Sequence, residues 1–179
     1  MNLYLSGMIG SGKTTLGTAI AGSLGRPILD LDREMDARLG YSFHELVRTK
    51  GWLAFRELEY SICKGFAERS GCVVCLGGGT VRYAWNRDAL SGTGFMVLLE
   101  VSPEELIRRV RAADRPRVNP GTTLEEDVRL MWERERSKYY EASDLVYHAE
   151  GKELEAEVSE LTGLLRADAR LSDFFRGAR

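Results

Sequence analysis

The chain has 179 residues, enough for one well-packed domain and short for two. Its 25 Lys and Arg against 27 Asp and Glu leave a net charge of −2, without the broad basic field that a nucleic-acid partner requires. No apolar run approaches the ~20 residues of a membrane span, the first strand begins too close to Met1 for a signal peptide, and an odd number of cysteines does not make a secreted disulfide framework, so a cytoplasmic protein is expected.

Residues 2–6 read as a first strand, and the helix from Lys13 to Leu24 must stop by Gly25 and Pro27. Between them GMIGSGKTT, Gly7 to Thr15, fits the pattern G-x-x-x-x-G-K-[ST]. Such a loop turns successive backbone N–H groups onto one anion, and the helix that starts there adds unpaired donors and a positive dipole end. Gly10, Ser11, Gly12, Lys13, Thr14 and Thr15 are therefore the candidates for holding ATP. Lys13 is expected to reach the β- and γ-phosphates and Thr14 to offer its hydroxyl to Mg²⁺. A glycine-rich turn that merely matches the pattern is the plainer reading, and the strand and helix on its two sides count against it.

The short strand Pro27–Leu29 delivers Asp30 and Asp32 to its carboxyl end, the edge of a parallel sheet where ligands bind. Capping of the next helix is the plainer role for Asp32. Helical text runs from Arg33 to Leu39 and ends at Gly40, and Ser42 to Glu45 has the form of a capping box. Apolar residues at 52, 55, 58, 62 and 66 mark an amphipathic helix from Trp52 to Arg69, with Arg56 and Glu59 beside its stripe. Cys72 to Leu76 is a continuous apolar strand. Its C-x-x-C spacing sets the two sulfurs on opposite faces, which predicts core packing rather than a metal or redox site. That strand ends in Gly77, Gly78 and Gly79, where the backbone could approach a ligand closely.

Phe95 to Leu99 is the next buried strand, and Ser102-Pro103-Glu104-Glu105 starts a helix bearing Arg108, Arg109 and Arg111. Prolines and a glycine break the pattern over residues 112–123, which read as a mobile lid. Thr123 to Glu126 caps a helix reaching about Glu141, where the line of fours Val128, Trp132, Arg136 and Tyr140 predicts a partly buried Arg136. Leu145 to Tyr147 is the last strand and a helix follows from about Lys152. Residues 167–179 lack periodicity and are expected to be loosely attached to a domain spanning 1–166, with substrate-binding helices over about 32–70. Strands alternating with helices predict an α/β fold: a three-layer parallel sheet with helices on both faces, of the P-loop kinase kind.

GMIGSGKT, Asp30-x-Asp32, Phe55-Arg56, LGGGTV at 76–81, Arg115-Pro116, and Arg136 followed by Tyr139 together resemble the shikimate kinases in order and spacing over roughly the first 165 residues. The resemblance implies phosphorylation of a shikimate hydroxyl by ATP, giving shikimate 3-phosphate and ADP on the route to chorismate and the aromatic amino acids. It implies that Asp30, directly or through water, and Thr14 hold Mg²⁺, and that Asp32 binds the accepting hydroxyl and takes its proton. Arg56 and Arg136 match the family's carboxylate-binding arginines, and Gly78, within Gly77–Gly79, matches the glycine whose backbone meets the substrate. Arg115 matches the lid arginine that reaches the phosphates, while Arg108 or Arg109 lies over adenine. A monomer with no nucleic-acid or membrane partner is expected. Three positions depart from the family pattern: Trp52 where glutamate is common, Arg117-Val118 where two leucines are usual, and Cys75 where serine is common.

Two other readings compete. One is a different small-metabolite kinase, acting on gluconate or a nucleoside monophosphate; the glycine run and the paired arginines favour an acid instead. The other is a non-catalytic nucleotide-binding regulator, against which stands the joint presence of Lys13, Thr14, Asp30 and Asp32.

Overall fold

Strands that are apolar without alternation can only be covered on both faces, and that requirement sets the architecture. The computed structural model describes residues 1–111 and 115–176. Strands β1 (Asn2–Ser6), β2 (Ile28–Asp30), β3 (Val73–Cys75), β4 (Gly94–Glu100) and β5 (Leu145–His148) form one parallel sheet in the order β2-β3-β1-β4-β5. Leu5 of β1 pairs with Cys75 on one side and Val97 on the other, and Asp30 pairs with Cys75, so the loops after β1, β2 and β3 open at one edge. The strand order reverses at β1, the switch point where open α/β sheets bind ligands.

The helices are α1 (Lys13–Leu24), α2 (Leu31–Leu39), α3 (Phe43–Ala67), α4 (Ala84–Leu90), α5 (Pro103–Val110), α6 (Leu124–Glu141), α7 (Leu154–Ala167) and α8 (Ser172–Arg176). They cover both faces of the sheet, giving the expected three layers: α1 packs with α7, α3 with α2 and α4, and α5 with α6. The two helical stretches expected on either side of residue 50 are one element bent at Gly51, whose φ of 81° and ψ of 176° lie outside the helical region. Ser42, Ser102 and Thr123 cap their helices as anticipated, and Thr123 and Glu126 complete a reciprocal capping box. Between Gly79 and Phe95, where the pattern gave no element, the chain forms a tight 3-10 turn over Thr80–Arg82 and the short α4. None of the described helices is long and apolar enough to cross a membrane.

The C-terminal segment corrects one expectation. Residues 168–176 are docked, not loose: Leu171 and Phe174 are 0 % and 3 % exposed. The Arg26 guanidinium lies 4.9 Å from the Phe174 ring centre and donates to the Phe174 carbonyl. Arg170 lies 4.5 Å from the Phe95 ring and pairs with Asp144 at 2.8 Å. Contacts between arginines and rings on such short elements leave no 3.6-residue stripe, so periodicity could not reveal them. Residues 177–179 of the expected tail lie outside the described residues.

Candidate active site

The phosphate loop leaves β1 and enters α1 through Gly12, the helix N-cap, with φ 92°. Lys13 is 8 % exposed and folded back into its own loop, donating from Nζ to the carbonyls of Gly7 and Met8, each at 2.9 Å, and to Ser11 Oγ at 3.3 Å. Burial lowers its pKa to about 8, outweighing the opposite pull of Asp32. Gly10, Gly12, Lys13, Thr14 and Thr15 line one cleft, and Ser11 is buried beneath it.

Thr14 Oγ1 donates to Asp30 Oδ2 at 2.7 Å, at the rim of the same cleft. Asp30 Oδ1 accepts from the Arg33 N–H at 3.1 Å, so Asp30, not Asp32, caps α2. Among the described residues no group of three or more His, Cys, Asp or Glu could hold a metal unaided. Two hard oxygens side by side nonetheless suit Mg²⁺, which takes one or two protein oxygens and completes its shell with phosphates and water.

Freed from capping, Asp32 lines both the phosphate cleft and a neighbouring cavity, and Ile9, Gly78 and Arg115 share that position. Burial raises its pKa to about 6, with Lys13 restraining the rise. Burial likewise pushes the Arg115 guanidinium down, with Asp32 opposing it. Two opposite charges, Asp32 and Arg115, thus sit where the two spaces meet, with Lys13 in the phosphate cleft beside them.

The second cavity is walled by α3, the glycine run and the segment before α6. Arg56, 8 % exposed, donates to Glu59 Oε2 at 2.7 Å, and its guanidinium lies 4.4, 4.6 and 5.3 Å from the rings of Tyr83, Phe55 and Trp52. Glu59 is fully buried and also accepts from Thr80 Oγ1 at 2.8 Å and Asn86 Nδ2 at 3.0 Å. The Arg56–Glu59 ion pair is internal and holds the guanidinium in place. Gly78 passes so close to Ile9 that a Cβ would stand 3.0 Å from the Ile9 nitrogen, and its carbonyl accepts from the Tyr139 hydroxyl at 2.6 Å. Gly79 lines the cavity, whereas Gly77 lies behind it against Thr80, Glu59 and Asp32. All three cysteines are buried, and burial pushes their thiols up, in keeping with core packing.

Arg136 departs from expectation: it is exposed and does not line the cavity. Successive helical residues turn by about 100°, so each step of four slips by about 40°. Arg136, two such steps beyond buried Val128, has slipped by about 80°, whereas Tyr139 returns to within about 20° of the buried line. Tyr139 is 1 % exposed. An unanticipated arginine, Arg82, instead lines the cavity at 8 % exposure. It stands in a 3-10 turn that folds its side chain back over Gly79, a local geometry that no periodic pattern announces. Of the two adenine candidates, Arg108 is turned to solvent and held by Glu105. Arg109 also meets Glu105 but donates to the carbonyls of Gly10 and Ala149, each at 3.3 Å, which sets it over the phosphate loop.

Residues 112–114 of the expected lid lie outside the described residues. Its later part is anchored. Asp127, 3 % exposed, accepts from the backbone N–H of Val118 at 3.0 Å and of Asn119 at 2.8 Å, and from Asn119 Nδ2 at 2.7 Å. Two of the departures from the family pattern meet here, for the Trp52 indole N–H donates to the Arg117 carbonyl at 3.2 Å. Hydrogen bonds to a charged acceptor contribute roughly 1.5–3 kcal/mol each, so Asp127→Ala should speed tryptic cleavage after Arg117 by at least about tenfold. Equal cleavage rates in variant and wild type would show that Asp127 does not hold the segment.

A strand, phosphate loop and helix beside a separate cation-lined cavity, with one carboxylate at their junction, define a P-loop phosphotransferase for a small acidic acceptor. The shikimate kinase family profile matches residues 9–166. The shikimate kinase of Chlorobium luteolum is 34% identical over 168 residues, covering 89% of this chain and 83% of that protein. That of Bordetella pertussis is 38% identical over 148 residues, covering 80% and 68%. Among solved structures, shikimate kinase from Acinetobacter baumannii in complex with shikimate superposes with a TM-score of 0.88 at 27% identity, covering 94% of each chain. The chain belongs to the shikimate kinase family.

Proposed function

We propose that this protein transfers the γ-phosphoryl group of ATP to a hydroxyl of shikimate, giving shikimate 3-phosphate and ADP, and that it does so as a cytoplasmic monomer on the route to chorismate. The observation that carries this reading is the position of Asp32 in the shared wall of the phosphate cleft and the Arg56 cavity, where an acceptor hydroxyl would face the γ-phosphate. Every group that the reading uses comes from one chain.

Phosphoryl transfer passes through a loose transition state with charge spread over the moving oxygens, so the chain's tasks are alignment and neutralisation. The loop N–H groups and Lys13 neutralise the phosphates, with Lys13 exchanging its loop carbonyls for phosphate oxygens. Thr14 and Asp30 would hold Mg²⁺, which supplies further positive charge at the phosphates when bound. Asp32, with its pKa near 6, accepts a hydrogen bond from the hydroxyl at neutral pH and takes the proton as the oxygen bonds to phosphorus. Arg115, at the same junction, lies toward the transferred group. Arg109, held over Gly10, borders the nucleotide, and Gly78 presents backbone to the substrate. Arg56, fixed by Glu59 and backed by three rings, forks onto the carboxylate.

The test is ADP release from ATP and Mg²⁺ as a function of shikimate. Losing hydrogen bonds to a charged group costs roughly 1.5–3 kcal/mol each, so Arg56→Ala should raise the KM for shikimate by about one to two powers of ten and leave that for ATP unchanged. Shikimate methyl ester should be a poor substrate. ADP release indifferent to shikimate but stimulated by gluconate or a nucleoside monophosphate would replace this reading, and no turnover with any acceptor would favour the regulator.

A further inference from the structure

We propose that Arg82 is a carboxylate-binding residue of this chain, the second arm of a clamp whose first arm is Arg56; the inference rests on the shikimate reading above. The buried charges elsewhere in the site are answered from within the protein. Lys13 has three oxygen acceptors, Asp127 three N–H donors, and Glu59 is shared by Arg56, Thr80 and Asn86. Arg82 is the exception. More than nine-tenths buried, it makes a single long hydrogen bond, from Nε to the Gly79 carbonyl at 3.4 Å, and no ion pair among the described residues. A guanidinium withdrawn from water without an anion is unfavourable, and the cavity it lines is where an anion could reach it.

Charge points the same way. Arg56 is already neutralised by Glu59, so it can orient a carboxylate but brings no net attraction for one. Among the described residues four arginines line the cavity against three carboxylates, leaving one positive charge, the complement of a monoanion. Arg82 is the arginine there that is both deeply buried and without a carboxylate partner. It is also well placed beside Arg56, since both guanidiniums lie against the Tyr83 ring, at 5.7 and 4.4 Å from its centre. Gly79 makes this possible, because a Cβ there would stand 2.4 Å from Arg82 Nη2. The position that sequence resemblance gave to Arg136 is thus served from the glycine loop.

The experiment compares shikimate with its methyl ester in wild type, Arg82→Gln, Arg82→Lys and Arg136→Ala, reading kcat and KM for both substrates. Arg82→Gln should raise the KM for shikimate at least tenfold, with kcat and the KM for ATP within about threefold of wild type. It should leave binding of the ester nearly unchanged, so that the preference for acid over ester collapses; Arg82→Lys should recover part of it, and serves alone if the glutamine variant does not fold. Arg136→Ala should change the KM for shikimate less than twofold. A wild-type acid-to-ester preference in the Arg82 variants, an equal loss of acid and ester, or a loss carried by Arg136→Ala instead would overturn this inference while leaving the kinase reading standing. No shikimate-dependent ADP release from the wild type would overturn both.

Discussion

Lys13→Met is expected to lower turnover by about a hundredfold to a thousandfold, the range for deleting one preorganised donor to a developing negative charge, while the protein stays folded. The methionine stem fills the same space as the lysine stem, and what is lost is an ammonium group whose three hydrogen bonds all end on its own loop. Burial holds the Lys13 pKa at about 8, below the 10.5 of a solvated lysine. The folded protein therefore binds fewer protons than the unfolded chain between those values, and Lys13 weakens folding at neutral pH, with stability recovering as the pH rises through that window. The variant should melt no lower than wild type at pH 7, and circular dichroism melts beside ADP-release assays check both halves. Wild-type turnover in a folded variant would show that the lysine does not serve the phosphates.

Much of this site was legible because its chemistry is written in short local patterns. The phosphate loop, the aspartates at a strand end and the glycine run are each set by a few consecutive residues, and the sheet order then brings their strand ends to one edge. Arg56 was legible too, although the depth of its pairing with Glu59 depends on Thr80 and Asn86, which only α4 and the turn before it bring in. What the pattern could not give depends on angle or on distance along the chain. A line of fours suggested a partly buried Arg136, but the slip of each step around α6 turns it to solvent. Arg82 lies in a turn with no periodicity to mark it. Trp52 and Arg117 read separately as unusual residues, and their hydrogen bond appears only once α3 and the segment before α6 are packed together. The docked C-terminal segment escaped notice for a similar reason, since Arg26 and Phe174 are distant in sequence.

Asp32→Asn is expected to separate function from stability more sharply than any other substitution in the chain. A carboxamide keeps the shape and can accept a hydrogen bond, but it cannot take the proton from the acceptor hydroxyl, and loss of general-base assistance lowers turnover by about 10²- to 10⁴-fold. Stability should move the other way. The folded pKa of Asp32 is near 6 against 3.8 for a solvated carboxyl, so the folded protein holds the proton more tightly than the unfolded chain. The stabilisation this brings is full below about 3.8 and lost as the pH rises through about 6, which leaves an ionised, partly buried Asp32 as a cost at neutral pH. Two pKa units correspond to about 3 kcal/mol as an upper limit, which partial exposure reduces. The asparagine variant should therefore melt higher than wild type at pH 7, by a few degrees at about 2–4 °C per kcal/mol, and the difference should vanish toward pH 4. In the wild type, kcat/KM for shikimate should fall on the acid side with a midpoint near 6. Asp30→Asn should behave differently, because its carboxylate bonds Thr14 and caps α2 at the metal side of the cleft: its turnover should be low at limiting Mg²⁺ and recover as Mg²⁺ is raised, whereas Asp32→Asn should not recover. An acid limb near pH 4, an asparagine variant that melts lower, or identical responses of the two variants across the Mg²⁺ titration would each remove Asp32 from the role of base.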